Sequence, residues 1–196
     1  MMNKIFSLFS VCLLSLSVWA ADEAENKTGA TAMEKPIVVM ETDLGKMTIE
    51  LYPDKAPITV KNFLTYIDNK FYEGIIFHRV VDNFVVQAGG FTYDFQRKET
   101  LPPIKNEADN GLKNLQGTLS MARTSDPDSA SSQFFINIVD NPSLDAAAGK
   151  HGYAVFGKVI EGFEVVKKIE AEPRGLYRSF PEAPNYAVRI LKAYRQ

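Results

Sequence analysis

The sequence predicts an all-β domain with two helices, whose antiparallel strands either close into a barrel or stack as a sandwich. Short apolar segments recur from residue 37 to residue 194, and several show the two-residue alternation of a half-buried strand. Only two segments have the apolar spacing of a helix, and strands and helices do not alternate as βαβ units would require. Since there is no internal repeat, we predict one domain over residues 37–196.

The first twenty residues have the pattern of a cleavable signal peptide. Lys4 precedes an apolar run over residues 5–18, and the small residue Ala20 precedes an acidic stretch. The run is shorter than the roughly 20 residues of a membrane-spanning helix. The alternative is a lipoprotein modified at Cys12, but the short run before it and the bulk of Val11 favour cleavage after Ala20.

Cleavage there leaves a chain whose composition excludes several functions. The only cysteine, Cys12, would be removed, so neither a disulfide nor a thiol nucleophile is expected. Loss of Lys4 changes the formal charge from −2 to −3, which argues against a nucleic-acid-binding protein. Residues 21–36 are small and polar, and we interpret them as a flexible tether.

The domain begins with a predicted hairpin followed by a helix. Residues 37–40 form an apolar strand, and Met47, Ile49 and Leu51 alternate with polar residues in the next one. Pro57 suits the first turn of a helix, and apolar residues follow at helical spacing, so residues 57–68 are predicted to be helical.

The remaining elements alternate between strands and loops. We predict strands within residues 71–87, 118–122, 133–139, 154–160 and 186–194, a long surface excursion over 91–115, and a second short helix after Gly162.

Several polar residues within these apolar strands are candidates for function. Arg79 must find acceptors among apolar neighbours, and nothing local in the sequence supplies an obvious acid. Gln87, Gln133 and Asn137 are amides in strands, where the simpler interpretation is that they satisfy buried backbone groups. His78 and His151 match no metal motif, so no metal or cofactor is expected. These residues alone indicate only a polar cleft on a β-rich domain.

Four ordered blocks of sequence resemble the cyclophilin family. They are FHRVVDNFVVQAGG at residues 77–90, GTLSMAR at 117–123, SQFFI at 132–136 and VFGKV at 155–159. With the first helix they span residues 37–194, and PIKNEA at 103–108 resembles the exported bacterial branch of the family.

The resemblance implies a closed eight-stranded antiparallel barrel with two capping helices and a groove outside it. It further implies a peptidyl-prolyl cis/trans isomerase that assists the folding of exported, proline-containing polypeptides in the periplasm, or alternatively in the medium. Two alternatives stay open: a proline-peptide-binding chaperone module with little dependence on turnover, and an exported factor acting on host or surface proteins. We expect a monomer that has no membrane attachment after cleavage.

By the same resemblance, Arg79, Phe84 and Gln87 are the catalytic residues. Arg79 would donate to the proline nitrogen and the carbonyl, while Gln87 would bind the substrate backbone and orient Arg79. The substrate-binding residues would be Val85, Ala122, Arg123, Thr124, Gln133, Phe135, Leu144 and Tyr153.

The sequence departs from the eukaryotic pattern of the family at two positions. Ser143 stands where a tryptophan is common, and Tyr153 where a histidine is usual. Because the indole supplies both apolar area and an N–H donor, we expect weak binding of cyclosporin.

Overall fold

The computed structural model describes residues 35–196, together with Met1. The predicted signal peptide and nearly all of the predicted tether therefore lie outside the described residues. The elements follow in the order β1 (Ile37–Thr42), β2 (Gly45–Leu51), α1 (Pro57–Asp68), β3 (Arg79–Val81), β4 (Val85–Ala88), β5 (Thr118–Met121), β6 (Phe134–Asn137), a 3-10 turn (Pro142–Leu144), β7 (Val155–Glu161), α2 (Phe163–Ala171) and β8 (Ile190–Arg195). Neither helix in this part of the chain is long and apolar enough to cross a membrane.

All eight strands belong to one antiparallel sheet, in the order β3-β4-β6-β5-β7-β2-β1-β8. The expected closure is incomplete, because β3 and β8 at the two ends of the sheet are not neighbours in a ladder. An isolated bridge between Ile76 and Arg189 joins the segments that precede them. The N–H of Val80 donates to the carbonyl of Glu182 at 2.8 Å, so a loop covers the edge of the three-residue strand β3.

The register of four neighbouring strands separates the interior from the outer face of the sheet. Val80, Val86, Ile136 and Leu119 are paired in turn across β3, β4, β6 and β5, and none is more than 1% exposed. The adjacent row contains Arg79, Gln87, Phe135 and Ser120. Because successive side chains of a strand point to opposite faces, this second row faces outward.

Aromatic rings fill the interior of the sheet. The ring of Phe63 on α1 lies 5.3 Å from Tyr72, 5.5 Å from Phe134 and 5.1 Å from Phe156, centroid to centroid. All four side chains are at most 1% exposed. Burial of a Phe side chain contributes about 1.5–3 kcal/mol, so this cluster is a major source of stability, and it leaves the interior occupied.

Helix α1 has the predicted bounds and receives its N-terminal cap from the long excursion. Ala56 at the cap position makes no side-chain cap hydrogen bond. Instead, the carboxylate of Glu107 accepts from the N–H groups of Ile58 at 3.1 Å and Thr59 at 2.8 Å. A negative charge at this end also complements the helix dipole. The excursion over 91–115 is thus tied to the domain by the helix it caps.

Three strand predictions were too long by more than one residue, among them 133–139, of which only Phe134–Asn137 form β6. Within 71–87 only β3 and β4 form, because residues 70–74 turn, with positive φ at Lys70 (53°) and Gly74 (78°). The last strand begins at Ile190, not at residue 186, since the segment before it forms the bridge that joins the ends of the sheet.

Two glycines with the same backbone conformation provide a matched test of packing beside β2. Gly162, before α2, has φ +79°, and an added Cβ would lie 2.2 Å from the carbonyl oxygen of Lys46. Gly74 has φ +78°, with nothing within 4 Å of such a Cβ. We expect Gly74→Ala to lower the free energy of unfolding by about 1 kcal/mol, the cost of the left-handed conformation alone. Gly162→Ala adds a backbone clash and should lower it by about 3 kcal/mol. Urea denaturation measures both, and equal losses would contradict this packing.

Candidate active site

Nine of the eleven predicted site residues line one groove of about 330 Å³ on the outer face of the sheet. They are Arg79, Phe84, Val85, Gln87, Ala122, Arg123, Phe135, Leu144 and Tyr153. The groove therefore combines two guanidinium groups and an amide with an apolar wall.

The strand register and one turn position the central residues of this groove. Arg79 is paired with Gln87, and Gln87 with Phe135, so the three share one outward row. The turn between β3 and β4 contains Asn83 at φ 50°, a conformation that asparagine tolerates better than most residues. Phe84 follows this turn, half-buried at the edge of the groove.

Gln133 supports the groove without lining it. The side-chain amide of Gln87 donates to the amide oxygen of Gln133 at 2.9 Å. Gly90 makes room for it, since a Cβ there would lie 2.7 Å from the Gln133 side chain. Gln87 was expected to orient Arg79, but in the described part of the chain its side chain bonds to Gln133 instead.

Thr124 also lies outside the groove lining. Its exposed hydroxyl bonds to that of Ser129 at 2.8 Å, inside the turn that joins β5 to β6. Both its backbone N–H and its hydroxyl bond to the Ser129 hydroxyl, so the structure shows a turn-stabilising contact for this residue.

Tyr153 lines the groove at the end of the loop of residues 145–153, which we call the rim loop. Its ring makes an edge contact with Phe135 at 5.6 Å and lies under the guanidinium of Arg123 at 4.5 Å. Arg123 also donates to the carbonyls of His151 at 2.6 Å and Gly152 at 3.2 Å. The Arg123 side chain thus holds the rim loop, and the stacked Tyr153 extends the apolar wall.

A buried amide network supports the wall of the groove from behind. Asn141 donates to the carbonyl of Phe84 at 3.0 Å and to the side-chain oxygen of Asn137 at 2.8 Å. Asn137 in turn donates to the hydroxyl of Thr118 at 2.9 Å. The interpretation of Asn137 as a structural amide is confirmed, since it is fully buried and helps to fix Phe84.

The acceptor of Arg79 is a residue that the sequence did not indicate. The Nε–H of Arg79 donates to the carboxylate of Glu182 at 2.6 Å, across 103 positions of the chain. No local pattern connects the two residues, because the contact depends on the loop that covers the edge of β3. The sequence implied only that a half-buried arginine needs an acceptor, and it did not show which residue supplies one.

His78 lies directly beside Arg79 but points away from solvent. It is 6% exposed, and its ring packs edge-on against Phe91 at 4.7 Å. Burial, together with the positive charges of Arg79 and Arg97, lowers the pKa of His78 to about 4, although a hydrogen bond at Ile76 acts in the opposite direction. His78 is therefore neutral at pH 7 and adds no positive charge beside Arg79.

A second depression, of about 480 Å³, is larger than this groove but chemically different. Lys105, Asp109, Asp128, Lys150 and His151 are among its lining residues, and none of the predicted site residues belongs to it. A proline ring requires an apolar wall near a hydrogen-bond donor, and the Arg79 groove combines the two. The described residues include no cluster of three His, Cys, Asp or Glu side chains suited to hold a metal ion.

Comparison with known proteins agrees with this geometry. Residues 37–195 match the family model described as cyclophilin type peptidyl-prolyl cis-trans isomerase/CLD. A peptidyl-prolyl cis-trans isomerase of Acinetobacter baylyi is 54% identical over 83% of this chain and 86% of its own. Isomerase A of Dickeya dadantii is 53% identical over 75% and 79%. A Cryptosporidium parvum cyclophilin-type isomerase, solved in the presence of the dipeptide Ala-Pro, superposes with a TM-score of 0.68 at 28% identity, covering 82% of this chain and 98% of that one.

The buried His78 predicts a specific pH dependence of stability. In the unfolded chain His78 takes up a proton near pH 6.5, whereas in the folded protein it does so only near pH 4. Between these values the unfolded state binds more protons, so the free energy of unfolding falls as the pH is lowered from 6.5 to 4, by about 3 kcal/mol.

Urea unfolding of the wild type and of His78→Asn at pH 7 and pH 4.5 measures this loss. The variant should lose less stability than the wild type over that interval, and the exposed His151→Asn control should behave as the wild type. The same loss in His78→Asn as in the wild type would contradict the assignment.

Proposed function

Because the chain belongs to the cyclophilin-type peptidyl-prolyl cis-trans isomerase family, we propose that its isomerase activity resides in the Arg79 groove and acts on X-Pro bonds of exported polypeptides. The activity follows from the family match over residues 37–195 and from the close bacterial relatives. The observation that carries the placement is the groove itself, which is lined by Arg79 and Gln87 together with apolar residues.

The reaction needs no bond to be broken. Rotation about a peptide bond has a barrier of about 18–20 kcal/mol, and the X-Pro bond isomerises unaided in tens to hundreds of seconds. The enzyme must bind the twisted amide more tightly than either planar form. A preference of about 7 kcal/mol accelerates rotation roughly 10⁵-fold.

Arg79 is the donor that distinguishes the twisted amide. Twisting ends the resonance, so the proline nitrogen becomes pyramidal and its lone pair can accept a hydrogen bond. The guanidinium presents planar, permanently charged donors at the edge of the groove, where it is partly shielded from water. Its interaction with the nitrogen is strongest in the twisted state, as differential stabilisation requires.

The apolar wall receives the proline ring. Phe84, Val85, Phe135 and Leu144 line this side of the groove. Phe135 is 4% exposed and Val85 is 2% exposed, so both surfaces are preformed before substrate arrives. Preformed surfaces bind the ring without the entropic cost of ordering side chains. Gln87 lies between this wall and Arg79, where its amide can bond to the substrate backbone.

We place the enzyme in the bacterial periplasm, on the signal-peptide pattern of residues 1–20. Its substrates would then be exported chains whose X-Pro bonds isomerise slowly during folding. From the lining of the groove we expect it to contact mainly backbone and proline, and therefore to have a broad substrate preference. Weak binding of cyclosporin stays a prediction based on Ser143, which is exposed and outside the groove lining.

Removal of the guanidinium tests the placement of the active site. We expect Arg79→Ala to lower kcat/KM for an Ala-Pro test peptide about 10²-fold, as loss of an electrostatic donor does in other active sites. Arg79→Lys should recover only a small part, because an ammonium lacks the planar fork.

Arg195→Ala is the matched control, since it removes another arginine paired with a carboxylate, outside the groove. It should leave kcat/KM unchanged, and all variants should unfold at similar temperatures. A folded Arg79→Ala protein with full turnover would place catalysis elsewhere, whereas a folded wild type without turnover would favour a proline-binding chaperone module.

Export is tested by the N-terminus of the protein made from the full chain in a Gram-negative host. We expect a periplasmic product that begins at Ala21, and we expect Cys12→Ser to be processed in the same way. A product retained in the cytosol with Met1 would contradict export. A membrane-bound product released by Cys12→Ser would instead identify a lipoprotein.

A further inference from the structure

The loop between α2 and β8 brings a carboxylate to the guanidinium of Arg79. The Oε2 atom of Glu182 accepts from the Nε–H of Arg79 at 2.6 Å. The side chain of Arg79 is 36% exposed and that of Glu182 is 47% exposed, so the pair lies at the edge of the groove. Glu182 itself does not line the groove.

The position of Glu182 does not depend on its own side chain. Its backbone carbonyl accepts from the N–H of Val80, the residue after Arg79, at 2.8 Å. The next residue, Ala183, is fully buried. Two residues earlier, Phe180 packs against Phe91 at 5.0 Å and stacks on Phe95 at 4.4 Å. The carboxylate is therefore presented from an anchored segment.

Two further contacts fix the same part of the chain to the hairpin that carries Arg79. Arg174 pairs with Asp82 at 2.5 Å, and the carboxylate of Glu170 accepts from the N–H of Asn83 at 2.9 Å. Asp82 and Asn83 form the turn of the β3–β4 hairpin. The C-terminal end of α2 and the following loop thus hold this hairpin at both its turn and its edge.

The atom that Glu182 engages leaves the rest of the guanidinium available. With Nε bonded to the carboxylate, neither Nη atom donates a hydrogen bond to Glu182, and the two Nη atoms form the outer end of the fork. A free arginine side chain has about 2 kcal/mol of rotamer entropy to lose when it is placed. An anchored acceptor at Nε limits this freedom before substrate binds.

We propose that Glu182 is a positioning residue, which holds Arg79 through Nε so that its Nη donors meet the twisted amide. The proposal rests on the function assigned to Arg79 above and deepens it. Glu182 does not touch the substrate, and it acts only through the arginine. Since it orders the donor used in the transition state, its loss should lower kcat more than it changes KM.

Substitutions at Glu182 separate orientation from charge. We expect Glu182→Ala to lower kcat for the Ala-Pro peptide about 5-fold, with KM within about 2-fold of the wild type. Glu182→Gln should keep most of the activity, because its amide oxygen can still accept from Nε. Asp68→Ala is the matched control: it removes a carboxylate that accepts from the Nε of Arg195 at 2.8 Å, outside the groove, and should leave kcat unchanged.

The Arg79→Ala background distinguishes failure of this proposal from failure of the function it rests on. There, adding Glu182→Ala should have no further effect on kcat, because the residue has nothing left to position. If Arg79→Ala alone retains full turnover, the assignment of the groove fails and the proposal falls with it. If Arg79→Ala loses turnover but Glu182→Ala is unchanged or faster, only the positioning role is overturned. Equal losses in Glu182→Ala and Glu182→Gln would also overturn it.

Discussion

The antiparallel register of β3, β4, β6 and β5 is the constraint on which the rest of this structure depends. The register sends one row of side chains into the core, including Val80 and Val86, and the adjacent row, including Arg79 and Gln87, to the outer face. A slip of one residue would bury the guanidinium and expose the core, at a cost far above that of any single contact. The same strand pairing therefore places the core residues on one face of the sheet and the active-site residues on the other.

The filled interior explains why the site lies outside the sheet and why loops complete it. Aromatic and aliphatic side chains occupy the space inside, including Phe63, Phe134 and Phe156. The outer row supplies the guanidinium of Arg79 and the amide of Gln87, but the surface of a sheet alone cannot enclose a proline ring. The turn at Phe84, the segment at Leu144 and the rim at Tyr153 supply the missing walls. Buried amides behind the groove then limit the movement of those walls.

The sequence allowed most of the local structure to be predicted. A short apolar run followed by an alternating segment identified the hairpin of β1 and β2, and Pro57 with apolar residues at helical spacing placed α1 correctly. Both signals are local, since they depend on neighbouring residues of the chain. The overlong strand prediction over 71–87 failed because hydrophobicity alone does not show where the backbone turns, as it does at Lys70. The prediction of a fully closed barrel was also wrong. Whether the end strands pair depends on whether loops already bond to their edge N–H and C=O groups, as Glu182 does to Val80.

The groove itself was predicted from the family resemblance and not from the residue pattern alone, which indicated only a polar cleft. Nine residues assigned by resemblance line it, whereas Gln133 lies behind Gln87 and Thr124 bonds within its own turn. Glu182 was missed because it lies 103 positions from Arg79, and no local sequence pattern connects the two residues. Long-range contacts of this kind come from tertiary structure, and here the contact adds an acceptor that holds the side chain proposed to do the chemistry.

The central claim is that the X-Pro bond binds in the groove formed by the outward row of Arg79, Gln87 and Phe135. NMR titration of the isotope-labelled protein with an Ala-Pro peptide tests this claim most directly. The account predicts the largest shifts at the Arg79 Nε–H, the Gln87 side-chain amide and the backbone of Phe135. It also predicts little change in the second depression around Asp128 and His151. Largest shifts in that depression, with the Arg79 signal unmoved, would contradict the account.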